Sequence, residues 1–235
     1  LIDNAVSQKP KGIVITLPDA AALGKSVKAA IAAGIPVISM NSGSDDFASL
    51  GISAHVGQTE FEAGVGGGQK MKAAGGKKAL CVNHEVGNVA LDRRCAGFKK
   101  GFGGSVDILG TSNDPTEIQK AVAAKLGGGY DTILTLGAGL SGEAALKALE
   151  AAGKVGNVKL GTFDMSPNML KAAAAGKVEF LIDQQQYLQG YLPIAIFAQY
   201  MRWGTMPAGV VMTGPGFVTP KNASAVIKWA AQGYR

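Results

Sequence analysis

Short, continuous apolar runs alternate with helix-period segments along nearly the whole chain, and that rhythm admits few folds. Lys11-Gly-Ile-Val-Ile-Thr-Leu-Pro18 is an apolar run bounded by turn residues, the pattern of a strand buried on both faces. Ala20 to Ala33 follows with apolar residues at helical spacing (Leu23, Val27, Ala30, Ile31), and Gly34 ends it as a glycine after a helix commonly does. Ile35-Pro-Val-Ile-Ser-Met40 predicts a second strand, Ala54-His-Val-Gly57 a third, and Glu60 to Ala74 a long helix.

After Ala74-Gly-Gly-Lys77 the theme restarts. Strands are expected at 78–83, 105–109, 132–136, 158–163 and 178–182, with helices at 89–102, 115–126, 141–152 and 167–175 between them. Asp114 stands where it caps the helix beginning at Pro115. Repeated strand-helix units require parallel sheets covered by helices on both faces. There are too many strands for one simple sheet, so the expected fold class is α/β with two doubly wound parallel-sheet lobes.

Composition agrees with this and removes other classes. With 47% hydrophobic and 17% charged residues, the chain is too apolar for intrinsic disorder. No apolar run reaches the roughly 18 residues of a membrane helix. The most apolar segment, Tyr191 to Met201, is broken by Pro193, Gln199 and Tyr200 and reads as a buried helix. The net charge of +6 is spread over helix ends, and aromatic content is only 6%, so nucleic acid is not an expected partner. No signal peptide is visible at Leu1-Ile-Asp-Asn4. Cys81 and Cys95 form no zinc pattern; they either pair, as export would allow, or remain as buried thiols.

In doubly wound sheets, ligands bind beyond the carboxyl ends of the strands. The residues found there are Met40-Asn-Ser-Gly-Ser-Asp45, Gly57-Gln-Thr-Glu60, Asn83-His-Glu-Val-Gly-Asn88, Leu136-Gly-Ala-Gly139, Phe163-Asp-Met-Ser166 and Asp183-Gln-Gln-Gln186. Carboxamides donate and accept hydrogen bonds, as vicinal hydroxyls do, and an aromatic face suits the C–H side of a sugar ring. Capping and turn formation explain any one of these positions. They explain six in succession less well, and Asp164 and Gln184 least. Reaction chemistry is not assembled. Gly66-Gly-Gly68 lies inside an expected helix, and no phosphate-loop motif or nucleophile elbow occurs. Gly137-x-Gly139-x-x-Gly142 matches a dinucleotide fingerprint weakly, with Asp164 too distant for its usual acidic partner. His55 and His84 have no evident nucleophile beside them.

Ile35-Pro-Val-Ile-Ser-Met-Asn41, Asp92-Arg-Arg-Cys-Ala-Gly-Phe98, Gly161-Thr-Phe-Asp164 and Asp183-Gln-Gln-Gln-Tyr-Leu-Gln-Gly-Tyr191 resemble the type I periplasmic sugar-binding proteins of ABC importers. The resemblance runs the length of the chain. It implies two lobes, 1–58 with 185–207 and 59–184 with 208–235, joined by three crossings and closing on a ligand in the cleft between them. Carried over by position, it implies ligand contacts from Asn41, Ser42, Gln58, Glu85, Asn88, Asp92, Arg93, Ala138, Phe163, Asp164 and Gln184. Ser42 stands where relatives often have arginine, and Ala138-Gly139 where they carry Asn-Asp, so a smaller or differently shaped polyol is expected. The resemblance further implies a small polyhydroxylated ligand, a membrane permease as partner, a monomer outside the cytoplasm, no cofactor and no enzymatic activity. In it Leu1 to Val6 falls at the end of a helix, so about 50 residues of strand and helix would precede this chain and the first lobe is expected to be incomplete. The ligand-sensing part of a LacI-type repressor shares this pattern and is the alternative.

Overall fold

The computed structural model describes all 235 residues and turns this alternation into nine α-helices and ten strands. First come α1 (Ile2–Ser7), β1 (Ile13–Ile15), α2 (Ala20–Ala32), β2 (Val37–Asn41) and β3 (Ala54–Gly57). Then follow α3 (Glu60–Ala73), β4 (Lys78–Asn83), α4 (Val89–Phe102), β5 (Ser105–Gly110), α5 (Pro115–Lys125) and β6 (Thr132–Thr135). A π turn over Ala138–Gly142 leads into α6 (Glu143–Ala151), β7 (Lys159–Phe163), α7 (Pro167–Ala174) and β8 (Phe180–Asp183). The chain ends with α8 (Gln186–Trp203), β9 (Gly209–Met212), β10 (Gly216–Val218) and α9 (Ala223–Ala231).

Two units emerge, Leu1–Thr59 with Gln185–Gly214, and Glu60–Gln184 with Pro215–Arg235. The third crossing lies after Gly214, not near Pro207 as the sequence suggests. The reason is β9, which pairs in parallel with β3 from Ala54↔Gly209 to Gly57↔Met212 and so keeps this segment in the first unit.

The first unit holds a four-stranded parallel sheet in the order β1-β2-β3-β9. On one face Val27 and Ala30 of α2 pack with Ile13, Val37, Phe47 and Leu50; the other groups Ile38, Val56 and Phe197. Only β2 flanks β1, which keeps three residues of the longer strand expected there. Helix α8 corrects another expectation. It buries only the stripe Gln189, Pro193 and Phe197, spaced four residues apart, while Tyr191, Ile194, Tyr200 and Met201 are exposed. One stripe is all that faces β2 and β3, so a strongly apolar helix is not a buried one.

The second unit is a six-stranded sheet in the order β10-β8-β7-β6-β4-β5, parallel except for β10. Each face carries its own core, one around Ile118, Leu149 and Leu160, the other around Phe98, Phe102, Leu134 and Phe180. On that second face α3 and α4 cross at glycines four residues apart on each helix. A Cβ on Gly64 or Gly68 would strike the carbonyls of Arg94 or Phe98, and one on Gly97 or Gly101 those of Phe61 or Val65. Gly64 and Gly68 are therefore helix-packing glycines, in agreement with the helix expected across Gly66-Gly-Gly68. Cys81 of β4 and Cys95 of α4 are joined by a disulfide, which settles the pairing left open by the sequence.

Candidate functional site

Each sheet presents a set of polar groups at its carboxyl edge. In the first unit, β2 ends in Asn41, whose backbone is left-handed at φ 63°. A non-glycine residue is held there only where its surroundings fix it, and such positions cluster at functional sites. The Asn41 amide donates to Gln189 Oε1 at 3.1 Å, and Gln189 Nε2 donates to Thr213 Oγ1 at 3.2 Å. Ser42 and Gln58 are buried, at the ends of β2 and β3. Beneath them His55 is wholly buried, with Nδ1 2.9 Å from Ser39 Oγ and Nε2 without a hydrogen-bond partner. Burial pushes its pKa down to about 4, against the opposing charge of Asp45.

The second unit repeats the arrangement with different side chains. Asp164 follows β7 with φ 65°, and its Oδ1 accepts from the buried Gln184 at the end of β8. Asn83 ends β4, donates to Asp92 Oδ1 at 2.8 Å and accepts from the Glu85 amide at 3.0 Å. Asn88 caps α4 by accepting from the Ala90 amide and donates to Glu85 Oε2. Arg93 is half-buried on the first turns of the same helix, and His84 lies between Asn83 and Glu85. Burial holds His84 below its ordinary pKa, Arg94 adds to that, and Glu85 and Asp164 oppose it.

Two expected contacts are corrected. Phe163 is fully buried, and the Arg94 guanidinium lies 4.4 Å over its ring, so Phe163 is a core residue and presents no face to a ligand. Ala138 opens the π turn and is buried in the core around Ile118 and Leu149. That turn also disposes of the dinucleotide motif, since Gly137 is extended and no regular helix starts at Gly139. Sequence reasoning missed Arg94 altogether. It makes bonds of 2.6 and 3.0 Å to Glu60 and one of 3.1 Å to the Leu136 carbonyl. Burial opposes its charge, but the Glu60 carboxylate more than compensates and raises the pKa. Gln189 and Thr213 were missed too, though Gln189 lies within the Asp183–Tyr191 segment that carried the resemblance. No three His, Cys, Asp or Glu side chains stand together as a metal site, and no helix is long and apolar enough to cross a membrane.

The family model described as a periplasmic binding protein domain matches residues 1–205. A crystal structure of a carbohydrate transporter from Acidothermus cellulolyticus, in complex with myo-inositol, is 36% identical with a TM-score of 0.94, covering 100% of this chain and 82% of that one. A periplasmic ribose ABC transporter from Conexibacter woesei shares the fold at 23% identity and TM-score 0.82, covering 99% and 80%. The xylose/arabinose-binding protein of Sulfolobus acidocaldarius is 24% identical over 94% of this chain, which spans 60% of that protein's length. The chain therefore belongs to the periplasmic binding protein domain family.

Proposed function

We propose that this chain is the substrate-binding component of an ABC importer and takes a cyclic polyol or a sugar. The observation that carries this reading is the pair of strand-end sets, Asn41 with Gln189 in one unit and Asp164 with Gln184 in the other. Both are built from groups that match vicinal hydroxyls, and both rest on left-handed backbone. The 36% identity to a myo-inositol complex favours a cyclitol over a pentose. Ala138 and Gly139 bring no polar side chain where relatives carry two, consistent with a ligand of altered shape.

In this reading the two sets engage one ligand, and the three crossings at 59/60, 184/185 and 214/215 are the hinge on which the units close. The closed form is what a membrane permease then recognises. The Cys81–Cys95 disulfide supports a compartment outside the cytoplasm and speaks against the repressor alternative.

Thermal denaturation in the presence of cyclitols, pentoses and hexoses tests the proposal, because a ligand that binds only the folded form raises Tm. The expected result is a rise with a cyclitol that Asp164→Ala abolishes. Equal melting with every compound in the panel would overturn it.

A further inference from the structure

His84 does not figure among the residues that the family resemblance supplies, yet it stands beside one that does. Gly137, opposite it, has no side chain. A Cβ there would lie 3.1 Å from His84 Cε1, 3.4 Å from His84 Nε2 and 4.0 Å from Asp164 Oδ2. The glycine thus leaves a small space that the imidazole edge and the carboxylate both border.

The tautomer of His84 follows from its neighbour. Ser141 Oγ is buried and donates to the Gly137 carbonyl at 3.0 Å. A hydroxyl has one hydrogen, so toward His84 Nδ1, 3.3 Å away, the same oxygen can only accept. With that hydrogen on the nearer acceptor, the carbonyl, Nδ1 carries the proton of the neutral ring and Nε2 a lone pair. No hydrogen bond within the protein reaches Nε2.

We propose that His84 Nε2 accepts a hydroxyl hydrogen from the bound polyol beside Asp164, so that this end of the site selects two adjacent hydroxyl donors and rejects a ring oxygen or ether. The proposal rests on the polyol-binding reading above and adds to it a donor requirement. A carboxylate and an Nε2 lone pair have no hydrogen to offer, so an ether oxygen set against them leaves acceptors facing acceptors. An inositol carries a hydroxyl on every ring carbon and so offers adjacent donors all round the ring. A pyranose meets the requirement only when its ring oxygen points elsewhere.

Protonation turns Nε2 from acceptor to donor, which a hydroxyl oxygen can still meet but which no longer excludes an ether oxygen. The charged groups acting on the ring are Glu85 from its own loop, Arg94 from α4 and Asp164 after β7. Burial keeps the ring neutral at and above its ordinary pKa of 6.5, so the acceptor form persists at neutral pH.

The test is calorimetric titration with myo-inositol and its mono-O-methyl ethers between pH 8 and pH 5. At pH 8 methylation of one hydroxyl of the set should cost the wild type about a hundredfold, and that penalty should shrink as pH drops below 6.5. His84→Ala should bind about tenfold more weakly at pH 8 and lose most of the pH response. Unchanged affinity and an unchanged pH profile in His84→Ala, with myo-inositol still bound, would overturn the inference and leave the function standing. Failure of the wild type to bind any polyol would overturn both. Nitrogen NMR of the wild-type ring, assigned by the signal missing from His84→Asn, is independent of ligand and of variant stability. A proton on Nδ1 is expected, and a proton on Nε2 would refute the proposal.

Discussion

The two units share a plan and differ in how they are held together. The second has six strands, larger cores, a disulfide, a buried Arg94–Glu60 pair and the glycine crossing of α3 with α4. The first has four strands and ends at the three-residue β1, beside a shallow groove of about 370 Å³ lined mostly by apolar residues such as Leu1, Ile2, Ile13 and Leu23. It also buries a histidine whose Nε2 lacks a partner. The sheet edge and the orphaned polar atom each weaken a fold. The second unit is therefore the firmer body, and the first the one that conditions disturb most easily.

The most severe way to break that comparison is Gly97→Ala. Its Cβ meets the Phe61 carbonyl, and α4 cannot retreat while Cys95 stays tied to Cys81. A loss of about 4 kcal/mol is expected, confined to the second unit when hydrogen exchange is read segment by segment. Reduction of the disulfide, with partners 14 residues apart, should cost that unit about 3 kcal/mol. A fall in protection of the first unit alone would show the assignment of stability to be wrong.

Acid should act in the opposite sense. The folded-state pKa of His55 is about 4 against an ordinary 6.5, so its neutral form is favoured by folding. Stability is fully present above 6.5, falls as pH drops and the unfolded chain takes up a proton, and levels off near 4. The loss reaches about 3 kcal/mol at most, by the conversion of pKa shift to free energy. His55→Gln should flatten this dependence in the first unit, while the weaker contribution of His84 in the second persists. The smallest effect is expected from Asp19→Ala. Asp19 accepts from the Ala22 amide at the start of α2, and its loss should cost about 1 kcal/mol in urea unfolding.

Much of this architecture could be read from the residues. Parallel strands buried on both faces, such as Leu80–Val82, leave unbroken apolar runs, and Asp114 and Asn88 announce the helices they cap. What escaped depends on distant partners. The resemblance put Val210 and Val211 in the second lobe, and their pairing with β3 moves the third crossing from Pro207 to Gly214. Phe163 has the composition of a stacking residue, and only the fold places Arg94 over its ring. The positions of Asn41, Asp164 and Gln184 at strand ends were legible because strand ends are local. Their bonds to Gln189 and to one another were not, because those span chain separations of 148 and 20 residues.

The left-handed backbone at Asn41 and Asp164 bears on how this protein responds to laboratory evolution. Glycine adopts that conformation without the steric cost that a side chain meets there. A library selected only for survival of heating should therefore accumulate Asn41→Gly and Asp164→Gly, discarding the amide and the carboxylate. Hardiness and recognition are in conflict at these two positions, and any thermostabilised descendant needs a second round of screening that rewards capture of the solute.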